Sequence, residues 1–482
     1  MLPYDLDPWQ YRLSREPVPE ARRLTGWSVE IGPGLGCCEL REAGGRPVGW
    51  LIGFPLNLET GQGIGADLTL PFTLTEDRDA FAEHVLTRLA GRFLWLADLA
   101  GQARIYPDAS ALVPCVFDPE RRVAGSTAHA LLSPQEYESR FDKARFDRFD
   151  IAGSGWFPAG LTAHRGIERL LPNHYLDLGT FMAVRHWPMR ALSARDDPDA
   201  VVHELVDLVR RQLLSLAESE KTVALTLTAG RDTRILLAAA RPFLERITFA
   251  TVVAGDSHAV DTVMARRIAA DLGLKLRELP RTRADRAAHD LYMRRGGHCI
   301  GDANAWYFPS IAPLAADHVL VGGAGGEAGR AFYWRATDTA DTVLSGALLA
   351  GRMGLPSDPE LIARLDDWLA GTGQDSALMT LDLAYVEHRM GPWGAAQFCN
   401  DPTMVRIAPM VSRRGIELLL ALPDDWKRGE RLAQEVMRQA WPELARYPFN
   451  SLGPARDILS RIQKALTNPG RAVRKIRKVL TR

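Results

Sequence analysis

The sequence predicts an α/β chain: a β-rich first part to about residue 190, then a parallel sheet with helices on both faces, ending in a mainly helical stretch. Short apolar runs bounded by Gly, Asp and Pro crowd the first part. Beyond Lys221, runs of β-formers alternate with helix-like segments, the pattern of a parallel sheet. Hydrophobic content of 46% with 24% charged residues is that of a globular chain.

In order, Val48–Phe54, Gly91–Asp98, Ala103–Tyr106 and Val113–Phe117 read as strands. Phe81, Val85 and Leu89 recur every four residues and predict a helix over Asp79–Leu89. Ser193–Asp199 is polar and contains Pro198, a junction before an amphipathic helix carrying Val201, Leu205, Leu208, Val209 and Leu213. Then come a strand over Val223–Thr228, a helix through Ile235–Ala240, a strand over Ile247–Val253 and a helix over Asp261–Leu272. Strands over Leu274–Leu279 and His318–Val321 complete the set, the last running into a glycine cluster. The domains expected are 1–190, 191–454 and a basic tail, 455–482.

The 482 residues carry 59 basic and 59 acidic side chains, so no whole-molecule field draws in nucleic acid, and no nucleic-acid partner is expected. Cys37, Cys38, Cys115, Cys299 and Cys399 are odd in number and form no CxxC or zinc pattern, which fits reduced thiols. Met1–Asp7 lacks a signal-peptide pattern, and no run approaches the ~20 apolar residues of a membrane span. A soluble, cytoplasmic chain is expected. The tail from Arg456, with Ile476, Val479 and Leu480 on one stripe, reads either as a solvated end or as a contact with acidic lipid or a partner.

The chemistry concentrates after the Val223–Thr228 strand. A sharp turn from strand to helix presents unpaired N–H groups to an anion, and small residues let phosphate approach the backbone. Thr228 and Thr233 bring hydroxyls, Ala229 and Gly230 allow the approach, and Asp232 can hold Mg²⁺ between phosphate oxygens. No GxxxxGK[ST] occurs in the chain. Spacing alone leaves a plain strand-to-helix turn equally open, because Gly, Asp and Thr are common turn and cap residues.

Leu227-Thr228-Ala229-Gly230-Arg231-Asp232-Thr233 resembles the SGGxDS pyrophosphate loop of the asparagine synthetases and their relatives, with Thr for Ser twice and Ala for Gly once. Asp261-Thr262-Val263-Met264-Ala265, with Ile268-Ala269 and Leu272-Gly273, is similar to the helix after that family's second strand. Gly322-Gly323-Ala324-Gly325-Gly326-Glu327, running to Tyr333, resembles its GDGxDE…GY motif. Gly91-Arg92-Phe93, Asp98, Tyr106 with Asp108, Val123–Ser126 and Ile167–Pro172 follow the order of its glutaminase-like domain. Arg406-Ile407-Ala408-Pro409 and Leu420-Ala421-Leu422-Pro423 resemble its later landmarks.

The resemblance implies an Ntn-hydrolase-like sandwich followed by a PP-loop synthetase domain of the adenine-nucleotide alpha-hydrolase type. It also implies an amide-forming ligase that uses ATP and Mg²⁺. Asp232 and Glu327 would be the catalytic and metal-holding carboxylates. Thr228, Ala229, Gly230, Thr233, Gly323 and Gly325 would cradle the phosphates, and adenine would lie near Leu225 and Val252. The substrates implied are a small-molecule or peptide carboxylate and ammonia or an amine.

The sequence also departs from that family. Its glutaminases use an N-terminal cysteine, whereas position 2 is Leu2 and the nearest cysteine is Cys37, so glutamine hydrolysis is not expected. Ala324 and Ala328 replace two acids, and the late lysine falls near Asn450. Losing one charge-stabilising group costs about 10²–10³ in rate, which Arg231, Arg234 or Arg330 could offset. A degenerate, non-catalytic nucleotide-binding or interaction protein is the competing expectation. A sulfur-transfer or tRNA-modifying relative would need a motif-borne cysteine and a basic face. His318 is expected at the surface, and Trp306-Tyr307-Phe308 and Tyr333-Trp334 in the core.

Overall fold

The computed structural model describes residues 6–60, 63, 65, 67–153, 155–219, 221–253, 259–301, 303–400 and 404–452, without the side chains of 397–399. The chain is mixed α/β, with two antiparallel-rich sheets in the first part and a separate five-stranded parallel sheet in the second.

In the first part a six-stranded and a seven-stranded sheet face each other. Leu89–Leu99 shows why, because side chains alternate across a strand. Leu94 and Leu96 enter the cluster between the sheets with Tyr11, Leu13, Val29 and Ile105. Phe93, Trp95, Ala97 and Leu99 enter the opposite cluster, where Phe81 and Val85 of the Arg78–Leu86 helix cover them. On the far side, Ala128 and Leu131 of a short helix pack with Val116 and Tyr137. The layering is therefore helix, sheet, sheet, helix. Gly49 permits the closest strand approach, since a Cβ there would lie 1.9 Å from the Leu96 carbonyl oxygen.

Two expectations for this region need correction. The helix stops at Leu86, because Leu89 already pairs with Asn57 in the seven-stranded sheet. The Val113–Phe117 strand begins only at Val116. The amides of Ser110, Leu112 and Val113 donate instead to the buried Asp108 carboxylate at 3.0–3.2 Å, so this stretch satisfies its backbone without a ladder.

The 20-residue helix Pro198–Ala217, capped by Asp197, leads into the parallel sheet. Strand order there is Leu276–Pro280, Ile247–Val253, Thr222–Thr226, His318–Val321, Arg406–Ile407. The first strand in sequence is central. The next two are added on one side, and the chain then crosses to the other. That reversal opens a crevice at the carboxyl ends of Thr222–Thr226 and His318–Val321, where open α/β sheets bind ligands. The Leu274–Leu279 strand is shifted to Leu276–Pro280, since Gly273 at φ +65° still closes the preceding helix. Helices make up most of the chain from Gly346 to Ala440, with the two-residue edge strand Arg406–Ile407 among them. Apolar packing is continuous from Phe157 and Trp187 through Leu205 to Leu225 and Leu381.

No helix among the described residues is long and apolar enough to cross a membrane. The basic tail expected at 455–482, and Leu2, lie outside the described residues.

Candidate active site

Val223, Ala224 and Leu225 bury both faces of the central strand, so the chain is free of the core only at the strand's end. Leu227 N–H still donates to Ala250 O at 2.8 Å, and the next three residues turn. The helix Arg231–Ala240 starts there, with Gly230 as N-cap and no side chain bonding its first amides. Unpaired N–H groups at the positive end of a helix make an anion site. Thr228 Oγ1 accepts from Gly230 N–H at 3.0 Å and lies 2.9 Å from Thr233 Oγ1. Ala229 N–H donates to Asp261 Oδ1 at 2.9 Å, fastening the loop to the next helix, Val260–Leu272.

The second loop, Gly322–Gly326, explains its own composition. A Cβ on Gly323 would sit 2.7 Å from Asp232 Cβ and 3.0 Å from Thr233 N, and one on Gly326 would sit 2.0 Å from Asp232 Oδ1. Gly325 has φ +101°, a conformation open to glycine and strained for other residues. Only a chain of this kind can lie directly on the first turn of the Arg231–Ala240 helix, which is how Glu327 is brought to Asp232.

Arg330 joins the two acids, with Nη2 3.0 Å from Asp232 Oδ2 and 3.1 Å from Glu327 Oε1. Asp232 Oδ1 is buried without a partner. Burial, reinforced by the negative charge of Glu327 and only partly opposed by Arg330, carries the Asp232 carboxyl up to about 7. Tyr385 adjoins the pair, and burial with the Glu327 and Asp232 charges holds its hydroxyl protonated far above the usual range.

Thr228, Ala229, Gly230, Asp232, Thr233, Gly323, Gly325 and Glu327 thus converge at the crevice. Leu225 and Val252 stand apart from that cradle. Leu225 is fully buried and paired in both parallel ladders. Val252 is 38% exposed near the end of its strand. Asn450 does reach the loop, donating its N–H to Ala229 O at 2.9 Å. Beside it, Arg234 Nη1 donates to Tyr447 O at 3.1 Å, and the Arg231 and Arg234 guanidinium groups lie over the Phe449 ring. Lys427 is not a substitute for the expected lysine, because it is buried in a 2.8 Å pair with Asp382.

Sequence reasoning missed Tyr385 and Arg389. With Trp393 they follow an i, i+4, i+8 spacing through a π-helical segment, Tyr385–Met390, and that spacing is the signal that could have found them. The segment's other side is anchored to the first part of the chain. Glu387 accepts from Arg185 Nη1 and Nη2 at 2.8 Å each and from Trp368 Nε1 at 2.6 Å, and Trp156 Nε1 donates to His388 O at 2.7 Å. His318, expected at the surface, is buried at the amino end of its strand, 2.6 Å from Asp317 and opposite the site. Tyr333 is buried as expected, whereas Trp306 and Tyr307 are half-buried under the guanidinium groups of Arg283 and Arg281, and Phe308 is half-buried, stacked on Tyr292 against the main core.

Burial raises the thiols of Cys37, Cys38 and Cys115 to about 11, 12 and 12, so none of the three is a thiolate near neutrality.

No family model and no curated protein matches the chain. Among solved structures it is similar to an NMN synthetase from Francisella tularensis, with 13% identity over 40% of this chain and 93% of that one, at a TM-score of 0.20. It is also similar to the U34-tRNA thiolase NcsA from Methanococcus maripaludis with its 4Fe-4S cluster, with 11% identity over 53% and 84%, at a TM-score of 0.21. Likeness this low carries no argument about function.

Proposed function

We propose that the chain is an ATP-dependent, amide-forming ligase of the asparagine-synthetase type. The observation that carries this reading is the meeting of two phosphate-suited loops at the sheet's switch point, with Asp232 and Glu327 facing each other across them. The helix–sheet–sheet–helix layering of the first part supports the glutaminase-like ancestry.

In this reading the first-turn amides of Arg231–Ala240 and the hydroxyls of Thr228 and Thr233 hold the pyrophosphate portion of ATP. A substrate carboxylate oxygen attacks the α-phosphorus, the α–β P–O bond breaks, and pyrophosphate leaves. Ammonia or an amine then attacks the acyl carbon, loses its proton, and AMP leaves with the carboxylate's oxygen. Positioning and charge neutralisation supply most of the acceleration. Asp232 and Glu327 fit Mg²⁺. They are hard oxygen donors, Asp232 Oδ1 is unpartnered, and Mg²⁺ commonly takes one or two carboxylates plus phosphate oxygens. When bound, the ion neutralises phosphate charge. No cluster of three metal-ligating side chains occurs among the described residues, so the phosphates would complete the shell. Displaced from the carboxylates, Arg330 is placed to meet a phosphate.

One observation favours the competing reading, a non-catalytic nucleotide-binding or interaction protein. Arg330 already pairs with both acids, and Ala324 and Ala328 leave no further carboxylate in the loop. The two readings separate on AMP and pyrophosphate release from ATP and Mg²⁺, measured with a panel of carboxylates, ammonium as amine and Asp232→Asn as control. Release that depends on one carboxylate and disappears in the variant supports the ligase. ATP bound but never cleaved across the panel favours the non-catalytic reading.

A further inference from the structure

Beside Glu327 lies a half-open cavity of about 190 Å³ lined by Ala324, Glu327, Phe332, Tyr385, Arg389, Met390 and Trp393. We propose that this cavity selects a small, single-ring aromatic carboxylate, its ring held by Phe332, Tyr385 and Trp393 and its acid group drawn by Arg389. The inference rests on the ligase reading in one respect: the bound acid is the one that would be activated.

Three observations converge on that class. Three of the seven lining side chains are aromatic and Met390 is a polarisable thioether, a wall suited to a flat ring. Phe332 is 49% exposed, its ring 4.7 Å from that of Tyr385, so a large apolar side chain stands at the rim where core packing does not require it. Arg389 brings the charge. Its guanidinium carbon lies 4.2 Å over the Trp156 ring, and its Nη1 is buried without a hydrogen-bond partner. Arg389 is the one cation among the residues lining this cavity, and its charge attracts the carboxylate of a ligand bound there.

Ala324 gives the departure from the resembled motif a purpose. Where an acid is expected, a methyl group lines the cavity, so the wall beside the phosphate loops is apolar and does not repel a carboxylate. Glu327, the remaining acid of the lining, is paired with Arg330 and does not offer a free partner for a substrate ammonium. That weighs against aspartate and other α-amino acids. The volume lies below the ~300–1,000 Å³ of sites for drug-sized ligands, which weighs against a peptide and for a single ring.

The test is calorimetric titration of the full chain with benzoate, phenylacetate and aspartate, with and without a non-hydrolysable ATP analogue and Mg²⁺, followed by AMP release with each acid. The expected result is saturable binding of an aromatic acid in preference to aspartate, weakened by about 10–100-fold in Arg389→Gln. Should that variant fail to fold, Phe332→Ala changes only a half-exposed rim side chain and is expected to weaken binding by about tenfold. Aspartate binding in preference to both aromatic acids overturns the proposal, as does no aromatic binding under either condition. Full affinity in a folded Phe332→Ala or Arg389→Gln protein overturns it as well. Aromatic acids bound without AMP release from any acid would leave the cavity's selectivity standing and remove the ligase. AMP release with aspartate alone would do the reverse.

Discussion

Replacing Asp232 with Asn should make the protein more stable at alkaline pH while removing its chemistry. In the folded chain the Asp232 carboxyl is carried from 3.8 up to about 7 by burial and by Glu327. Below the lower value both folded and unfolded states are protonated, and the residue contributes nothing pH-dependent. Between the two values the unfolded chain ionises while the folded chain keeps its proton, so stability falls as pH rises, and above about 7 the whole penalty is present. At 1.36 kcal/mol per pH unit the full displacement is on the order of 4 kcal/mol, an upper bound for a side chain 18% exposed. Asn keeps the size and an oxygen for the Arg330 donor but carries no charge. The variant's advantage over the parent should therefore grow between pH 5 and pH 8 by up to about 3 kcal/mol. Urea unfolding of both proteins at the two pH values, followed by a probe of the second part, reads this directly. An advantage that is constant or shrinks over that range would refute the argument, because it would mean that Asp232 is ionised in the folded protein throughout.

Other perturbations have defined outcomes. Removing the neighbouring charge in Glu327→Gln should move the pH midpoint of Mg²⁺–ATP binding downward, whereas Arg330→Met should move it upward; titration of nucleotide binding against pH checks both signs. Gly326→Ala would drive a methyl to 2.0 Å from Asp232 Oδ1, costing about 1–3 kcal/mol in unfolding free energy and weakening nucleotide binding. Glu387 is fully buried, yet the Arg185 charge and its hydrogen bonds outweigh that burial and hold it at about 2. Its stabilisation, on the order of 3 kcal/mol, is present above its ordinary value of 4.5 and is lost as pH falls toward 2. Glu387→Gln should therefore cost most near neutrality and least in acid, as followed by chemical denaturation across pH.

The elements that were legible in the sequence are those whose signal is local. Ile247–Val253 and His318–Val321 lie where the β-former runs place them, since strands buried on both faces read as continuous apolar runs. The Thr228–Gly230 turn was legible because close backbone approach favours small and hydroxylated residues there, just before the helix that starts at Arg231. The glycines of 322–326 mark a contact with a helix some 90 positions earlier, as the Gly326–Asp232 approach shows. What was not legible depends on distant partners. Val113 looks like a strand residue until Asp108 takes its amide. His318 looks exposed until the sheet closes around it. Arg389 and Tyr385 belong to a π-helical segment that carries no family motif, and only the fold sets them beside Glu327. Glu387 and Arg185 are about 200 residues apart, and nothing in either stretch announces their pair.

The central claim is that one site, built from the loops after the first and fourth strands of the parallel sheet, joins a carboxylate to AMP. Its most direct test is turnover of ATP and Mg²⁺ with an ¹⁸O-labelled carboxylate and ammonium, read by ³¹P NMR and mass spectrometry. The account predicts pyrophosphate together with AMP carrying one ¹⁸O atom, and no turnover in Asp232→Asn. Unlabelled AMP, or ADP with inorganic phosphate, would contradict it.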